Sequence, residues 1–268
     1  VGWSIVTRLD GESQFTDGER VPLAFAVGCY AVYFGVLAVG TYRLDALSMW
    51  CFLAVLVVAA LPGLRRMPWR AFADCIRREF AKSRTQPSTG ILWLALIGIG
   101  LSSLLQGLAP PNDYDSMMYH MSFPQYDVEL GRLGVPWDRH VRAELYPAMA
   151  SNLTRLSLAV MDTGAAQLLH GLFGLIAASG AAMLARRMGL AKQLALIAAI
   201  FFLAIRVVIW EMGTVEVDVF LAAFASLAAL VYLVWRQRGN IDHGILFGLM
   251  VGGGILVKYY GFPLALSF

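Results

Sequence analysis

Long apolar segments with few charges recur along the whole of this sequence. Seven such runs are present, at residues 21–40, 46–64, 90–108, 164–185, 193–210, 219–235 and 244–264. A helix rises about 1.5 Å per residue and the hydrocarbon core of a bilayer is about 30 Å thick, so runs of this length can cross it. Helices satisfy their own backbone polar groups in lipid. The sequence therefore predicts an all-α, polytopic transmembrane helix bundle with about seven spans.

The composition agrees with a membrane protein and excludes several other classes. Hydrophobic residues make up 59% of the chain and charged residues 15%, with a net charge of +3. The mean hydropathy of +0.65 lies well above that of ordinary soluble domains. Because the charges are segregated along the chain and the net charge is small, no nucleic-acid partner is expected. Cys29, Cys51 and Cys75 lack disulfide or metal-ligand spacing and are expected to be free thiols.

The distribution of basic residues sets the predicted orientation. Residues 65–84 carry seven basic side chains against only Asp74 and Glu79. By the positive-inside rule this connector is cytoplasmic, and its apolar spacing predicts an interfacial helix. Further basic pairs follow the fourth and sixth runs at residues 186–187 and 236–238. The large loop at residues 109–162 is then on the outer face, with juxtamembrane helices predicted at residues 123–133 and 149–160.

The start of this outer loop concentrates the residues that can do chemistry. Pro110 and Pro111 end the third run, and two aspartates, two tyrosines and a histidine follow within the eight residues 113–120. Further acidic residues of the outer face are Glu144, Glu211, Glu216 and Asp218. Two cations, Arg206 and Lys258, are predicted at matching depth in the outer half of the bilayer, where a charge is costly and usually functional or paired.

Carboxylates beside cations suit a reaction on a lipid-linked phosphate. A carboxylate can deprotonate an incoming hydroxyl while the cations hold the phosphate and stabilise its charge as it leaves. Such a leaving group needs no general acid, unlike the two opposed carboxylates of glycosidases. One well-placed aspartate is therefore enough.

Several short motifs resemble a known family. They are Asp115-Ser-Met-Met-Tyr119-His120, Tyr146-Pro147, Leu169-His170-Gly171-Leu172, Val217-Asp218-Val219 and Val257-Lys258-Tyr259. Together these motifs resemble polytopic glycosyltransferases of the GT-C superfamily. The nearest branch is the bacterial group similar to dolichyl-phosphate-mannose protein mannosyltransferases and lipid A aminoarabinose transferases. The resemblance covers roughly residues 90–268.

The resemblance implies a transferase that moves a sugar from a polyprenyl-phosphate donor to a glycan, lipid or protein acceptor. It implies an inverting reaction on the periplasmic face of a bacterial inner membrane. By motif position Asp115 is the catalytic aspartate, and Asp113 is a second catalytic candidate that could instead cap a surface helix. Substrate-binding candidates are Tyr119, His120, Arg206, Glu216, Asp218, Lys258 and Tyr259. A divalent metal is left open, with Asp113, His120 and Asp218 as candidate ligands.

Two regions are expected. Residues 1–89 form an N-terminal helical hairpin with the basic cytoplasmic interfacial helix, and residues 90–268 form the GT-C-like core with its catalytic loop at 109–162. The chain begins without methionine and stops directly after an apolar run, which is typical of a piece of a longer protein. One alternative is a transporter or flippase of a lipid-linked or anionic substrate, although no internal repeat is evident. Another is a non-catalytic subunit with this fold.

Overall fold

The computed structural model describes residues 1–11, 13–134 and 148–268, in which all regular structure is helical. The α-helices of these residues are α1 (Gly2–Leu9), α2 (Asp17–Gly40), α3 (Ala46–Arg66), α4 (Trp69–Thr85), α5 (Pro87–Gln106), α6 (Ser122–Leu130), α7 (Met149–Val160), α8 (Thr163–Arg187), α9 (Lys192–Leu203), α10 (Arg206–Met212), α11 (Asp218–Arg238), α12 (Ile241–Val257) and α13 (Gly261–Leu266). A single π-helical turn, Ser116–His120, precedes α6. The predicted all-α class is confirmed.

The spanning helices are less regular than the hydropathy pattern predicts. Within the described residues, five helices are long and apolar enough to cross a membrane, namely α2, α3, α5, α8 and α11. The pair α9 and α10 could make a sixth span, but it is bent by 72° at its break. The 17-residue α12 is apolar but shorter. The chain is a multi-pass membrane protein with five such helices in the described residues, or six if α9 and α10 form one span, and the predicted count of about seven stays a prediction.

Both predicted intramembrane cations stand at these interruptions. Lys258 has extended backbone, with φ −154° and ψ 146°, between the end of α12 and the start of α13. Pro263 favours this break, because inside a continuous helix it would lack an N–H donor and its ring would clash with the carbonyl four residues earlier. Arg206 is exposed at the first position of α10, immediately after the bend. The prediction that these cations lie inside continuous spans was therefore wrong.

Polar side chains at the helix starts explain several of the boundaries. Thr16 and Glu19 form a reciprocal capping box at the start of α2. Asp45, Asp162 and Asn240 each accept a backbone N–H in the first turn of α3, α8 and α12. These residues place the ends of the helices where the apolar runs alone would leave them undefined.

The core lies between α8 and α11. The rings of Phe173 and Phe220 stack with their centroids 3.6 Å apart, and both side chains are buried. A Cβ atom on Gly180 would lie 2.2 Å from the Ser226 hydroxyl oxygen, so only glycine permits the observed approach of these helices. Val6 and Leu23, from the N-terminal helices, belong to the same buried cluster. The boundary at residues 89 and 90 stays a prediction, although both regions share one core.

Two ion pairs and a histidine–carboxylate contact join the helix ends that the charge pattern assigns to the cytoplasmic side. Arg187, at the end of α8, bonds to Glu19 at the start of α2 with a closest distance of 2.6 Å. Lys192 at the start of α9 contacts Glu79 of α4. His243 in α12 lies 3.3 Å from Asp10, which follows α1. The described helices therefore alternate in direction as predicted, and the basic termini gather at one end of the bundle.

The two juxtamembrane helices are present as α6 and α7. The left-handed Gly131, with φ 74°, ends α6 before the predicted boundary at residue 133. A buried ion pair joins the helices, with Arg155 Nε 2.7 Å from Asp127 Oδ2. The motif Tyr146-Pro147 and the acidic Glu144 lie outside the described residues.

Candidate functional site

Four chain segments meet at the end of the bundle opposite the basic termini. They are the loop after α5, the π-turn Ser116–His120, the link from α10 to α11, and the break between α12 and α13. Contacts from Ser116 to Val215 and from Asp113 to Trp210 join the first three. The charge of Lys258 acts on His120, which brings in the fourth. These segments carry most of the predicted site residues.

Asp113 caps the π-turn and is almost fully occupied by hydrogen bonds. Its Oδ2 accepts from the backbone N–H of Ser116 at 2.9 Å and from the Ser116 hydroxyl at 3.0 Å. Its Oδ1 accepts from Trp210 Nε1 at 3.2 Å. Burial acts to raise the pKa of Asp113, but hydrogen bonds from Glu216, Ser116 and Trp210 outweigh it and hold this pKa below its usual range. A carboxylate held in this way is a weak base, and its hydrogen bonds fix the shape of the loop.

Asp115 is the carboxylate of this loop that is not used as a cap. It stands at the position before the π-turn, and its side chain makes no capping hydrogen bond. The side chain is half-buried and accepts a hydrogen bond from the Tyr119 hydroxyl. Burial and then the charge of Asp115 raise the pKa of Tyr119, so the phenol stays protonated as a donor. Asp115 therefore keeps acceptor capacity for a substrate hydroxyl.

Glu216 and His120 face each other as neutral groups at pH 7. The pKa of Glu216 is raised to about 9, chiefly by burial and by the hydrogen bond to Asp113. The negative charges of Asp113, Asp115 and Glu211 raise it further. Burial first, and then the charge of Lys258, lower the pKa of His120 to about 4. The 3.8 Å between His120 Nε2 and Glu216 Oε2 is therefore a contact of an imidazole with a carboxylic acid, not an ion pair. The protonated Glu216 donates its hydrogen to the Asp113 carboxylate.

Lys258 is the cation that the fold brings to this cluster. Its Nζ lies 2.7 Å from Asp218 Oδ1, and 28% of its side chain is exposed. The same nitrogen lies 5.4 Å from the centre of the Tyr260 ring, which in turn packs on Tyr259. Arg206, the other predicted cation, is exposed and forms no ion pair with the carboxylates that the structure describes.

The candidate metal ligands do not form a metal site in the described residues. No group of three or more His, Cys, Asp or Glu side chains in residues 1–11, 13–134 and 148–268 has a suitable arrangement. Asp113 already caps the π-turn, Asp218 pairs with Lys258, and His120 lies beside that lysine's charge. This donor set does not fit a divalent cation, and a metal requirement stays a prediction.

An apolar groove of about 1100 Å³ runs along the bundle beside this site. Its walls come from α2, α3, α7 and α8, with Leu53, Leu156 and Leu172 among the lining residues. One end is lined by Leu64 at the basic end of α3, and the other by Pro110 and Pro111. The groove therefore extends along the length of the bundle to the loop that carries Asp113 and Asp115.

Three residues that organise the site were not among the predicted ones. Ser116 is fully buried, and its hydroxyl accepts the backbone N–H of Val215 at 3.0 Å. Trp210 donates to Asp113, as described above. Gln167 is 1% exposed within α8. Only Gln167 carried a signal in the sequence, because a lone amide within a long apolar run is costly unless it is bonded.

Comparison with known proteins finds a family match over part of the chain. Residues 146–268 match the family described as dolichyl-phosphate-mannose-protein mannosyltransferase, a segment that includes Glu216, Asp218 and Lys258. No curated protein and no solved structure matches the chain. The family match agrees with the resemblance drawn from the short motifs and supports a membrane glycosyltransferase of the GT-C type.

Proposed function

We propose that this protein transfers a sugar from a polyprenyl-phosphate donor to an acceptor hydroxyl on the periplasmic face of a bacterial inner membrane, with inversion. The acceptor is a glycan, a lipid or a protein. The observation that carries the proposal is that the same end of the bundle holds Asp115, a carboxylate that caps no helix, and the cation Lys258. The family match supplies the reaction class.

The apolar groove supports a donor with a long lipid chain. An isoprenoid tail is flexible and wholly apolar, and each CH₂ group that it buries stabilises binding by about 0.8 kcal/mol. The groove ends at Pro111, two residues before Asp113, so a phosphate at the head of such a tail would lie near the loop that carries both aspartates.

The proposed chemistry uses Asp115 as the general base. Its carboxylate takes the proton of the acceptor hydroxyl while the hydroxyl oxygen attacks the anomeric carbon. The bond from that carbon to the phosphate oxygen breaks, and the electron pair leaves with the phosphate. Lys258 stabilises the negative charge that develops there. A single displacement inverts the anomeric configuration, and Asp113 takes no part because its oxygens already accept hydrogen bonds.

A transfer assay with labelled polyprenyl-phosphate sugars and purified protein in liposomes tests the proposal. Asp115→Asn keeps the shape and removes the base, so the rate should fall by about 10² to 10⁴ while donor binding survives. Asp242→Asn, at the opposite end of the bundle in the first turn of α12, is the matched control and should transfer normally. Full transfer by Asp115→Asn would remove the base from the mechanism.

The face of the membrane is tested separately by thiol labelling in intact cells. Cys75 in α4 is exposed, and Tyr114, in the acidic loop, is 73% exposed. A protein that keeps only Cys75 should resist an impermeant thiol reagent, whereas a protein whose only cysteine replaces Tyr114 should react. The reverse pattern would place the site in the cytoplasm.

The transport alternative gains one observation from the structure. Interrupted helices are common in transporters, and both α9–α10 and α12–α13 are interrupted beside a cation. The family match weighs against it. The same liposomes distinguish the two, because a flippase would move the donor lipid between leaflets without making glycosylated product.

A further inference from the structure

The amide of Gln167 binds three carbonyl groups from two different segments. Its Nε2 lies 3.0 Å from the carbonyl oxygens of Gly107, Ala109 and Gly213. Gly107 and Ala109 begin the outer loop, and Gly213 begins the link from α10 to α11. One side chain of a spanning helix therefore holds the starts of both acidic segments.

The other bonds in this region join the two segments to each other. Val215 donates its N–H to the Ser116 hydroxyl, and Trp210 donates to Asp113. Those bonds keep the loop and the link together but do not fix their position on the bundle. Gln167 is the described side chain that bonds both segments to α8.

The same face of α8 is shaped for close contact with these segments. Gly171 follows Gln167 by one turn and therefore lies on the same side of the helix. A Cβ atom at Gly171 would lie 2.8 Å from the carbonyl oxygen of Met212 and 2.8 Å from Leu104 Cδ2. The ends of α5 and α10 thus rest on α8 at the point where Gln167 bonds to the chain that leaves them.

We propose that Gln167 is a positioning residue for the transfer reaction, which fixes the loop bearing Asp115 and the link that leads to Asp218 at one height on the bundle. The proposal rests on the proposed function. Asp218 bonds to Lys258. By holding both segments, Gln167 therefore sets the separation of the proposed base, Asp115, from the proposed phosphate-binding cation, Lys258. A displacement of about 1 Å between such groups can cost about 10²-fold in rate.

Kinetics and distance measurements on full-length protein in liposomes test this role. Gln167→Met keeps the length of the side chain and removes both amide donors. We expect kcat to fall by about 10- to 10²-fold with little change in the donor KM, because most of the groove is formed by α2, α3, α7 and α8. Gln193→Met is the matched control, since Gln193 bonds to Thr89 away from this site.

Spin labels report the position of the segments without reference to activity. With the native cysteines replaced, one label at Met188 after α8 is paired with a second at Met117 in the loop or Val207 in α10, all of which are exposed. Both distance distributions should broaden in Gln167→Met and stay narrow in Gln193→Met. Gln167→Asn is a second variant, in case Gln167→Met does not fold. Its side chain is one methylene shorter, so its amide reaches the carbonyls less well, and it should broaden both distance distributions to a smaller degree.

The outcomes separate this proposal from the proposed function. Narrow distributions in the Gln167 variants would overturn the positioning role, whatever the kinetics. Broad distributions with unchanged kcat would overturn it as well. Broad distributions in a protein whose wild type transfers no sugar would leave Gln167 as a clamp for another activity and refute the proposed function instead.

Discussion

Replacing Glu216 by glutamine should stabilise the protein at neutral pH. It should also make the free energy of unfolding less dependent on pH. Glutamine keeps the shape of the protonated acid and can donate to Asp113 in its place. In the wild type, Glu216 must stay protonated in the folded state, because its pKa is about 9, against a reference value of 4.5 for the unfolded chain. Keeping that proton lowers the free energy of unfolding at any pH above 4.5, the pKa of this group in the unfolded chain.

The magnitude follows from the distance between pH 7 and the unfolded pKa. pH 7 lies 2.5 pH units above 4.5, and each unit costs about 1.4 kcal/mol, so the cost of holding the proton is on the order of 3 kcal/mol. The sign is that of an acid with a raised pKa. The folded state binds one proton more than the unfolded state between pH 4.5 and about 9, so stability falls as pH rises through that window.

Thermal unfolding of purified protein at several pH values between 5 and 8 measures this effect. The unfolding temperature of the wild type should drop more steeply with pH than that of Glu216→Gln, and the two should converge near pH 5. Glu129→Gln is the control, because Glu129 is an exposed carboxylate in α6. Parallel curves for wild type and Glu216→Gln would refute the protonated state and the hydrogen bond to Asp113.

Three further substitutions have definite expectations. Asp113→Asn should slow transfer by about tenfold, far less than Asp115→Asn, and lower the unfolding temperature, since a cap contributes about 1 kcal/mol; equal losses in the transfer assay would contradict the division of roles. Lys258→Met should weaken donor binding by about tenfold, while stability changes by less than about 1 kcal/mol because the pair with Asp218 is partly exposed; unchanged donor affinity in a binding assay would exclude a phosphate contact. Gly171→Ala should destabilise the protein by about 1–3 kcal/mol, because Met212 and Leu104 must move; an unaltered unfolding temperature would mean that α8 and α10 separate freely.

Much of the bundle could be predicted because hydropathy and basic residues report directly on bilayer thickness and orientation. The runs at residues 46–64 and 164–185 lie within continuous helices, α3 and α8. The interrupted spans could not be seen in this way, since a break changes backbone direction without changing hydropathy. Pro263 was the available signal for one of them. The bend between α9 and α10 contains no proline, so the sequence carries no comparable signal for it.

The site was predictable in content but not in arrangement. Local sequence placed Asp113, Asp115 and His120 in one loop, and the family motifs added Asp218 and Lys258. Which aspartate caps the π-turn depends on contacts that the sequence does not show. One is the bond between Ser116 and Val215, which are 99 residues apart in the chain. The roles assigned to these residues stay predictions.

The bond between Lys258 and Asp218 means that, in the proposed mechanism, the cation assigned to the donor phosphate is already neutralised within the protein. A phosphate arriving at Lys258 must therefore exchange with a tethered carboxylate, and an exchange between two anionic partners yields little net binding energy. Free inorganic phosphate should compete poorly for the site. A donor whose tail also fills the groove gains the energy that the head group lacks, so the protein would select its substrate by its lipid, and only then engage the sugar phosphate.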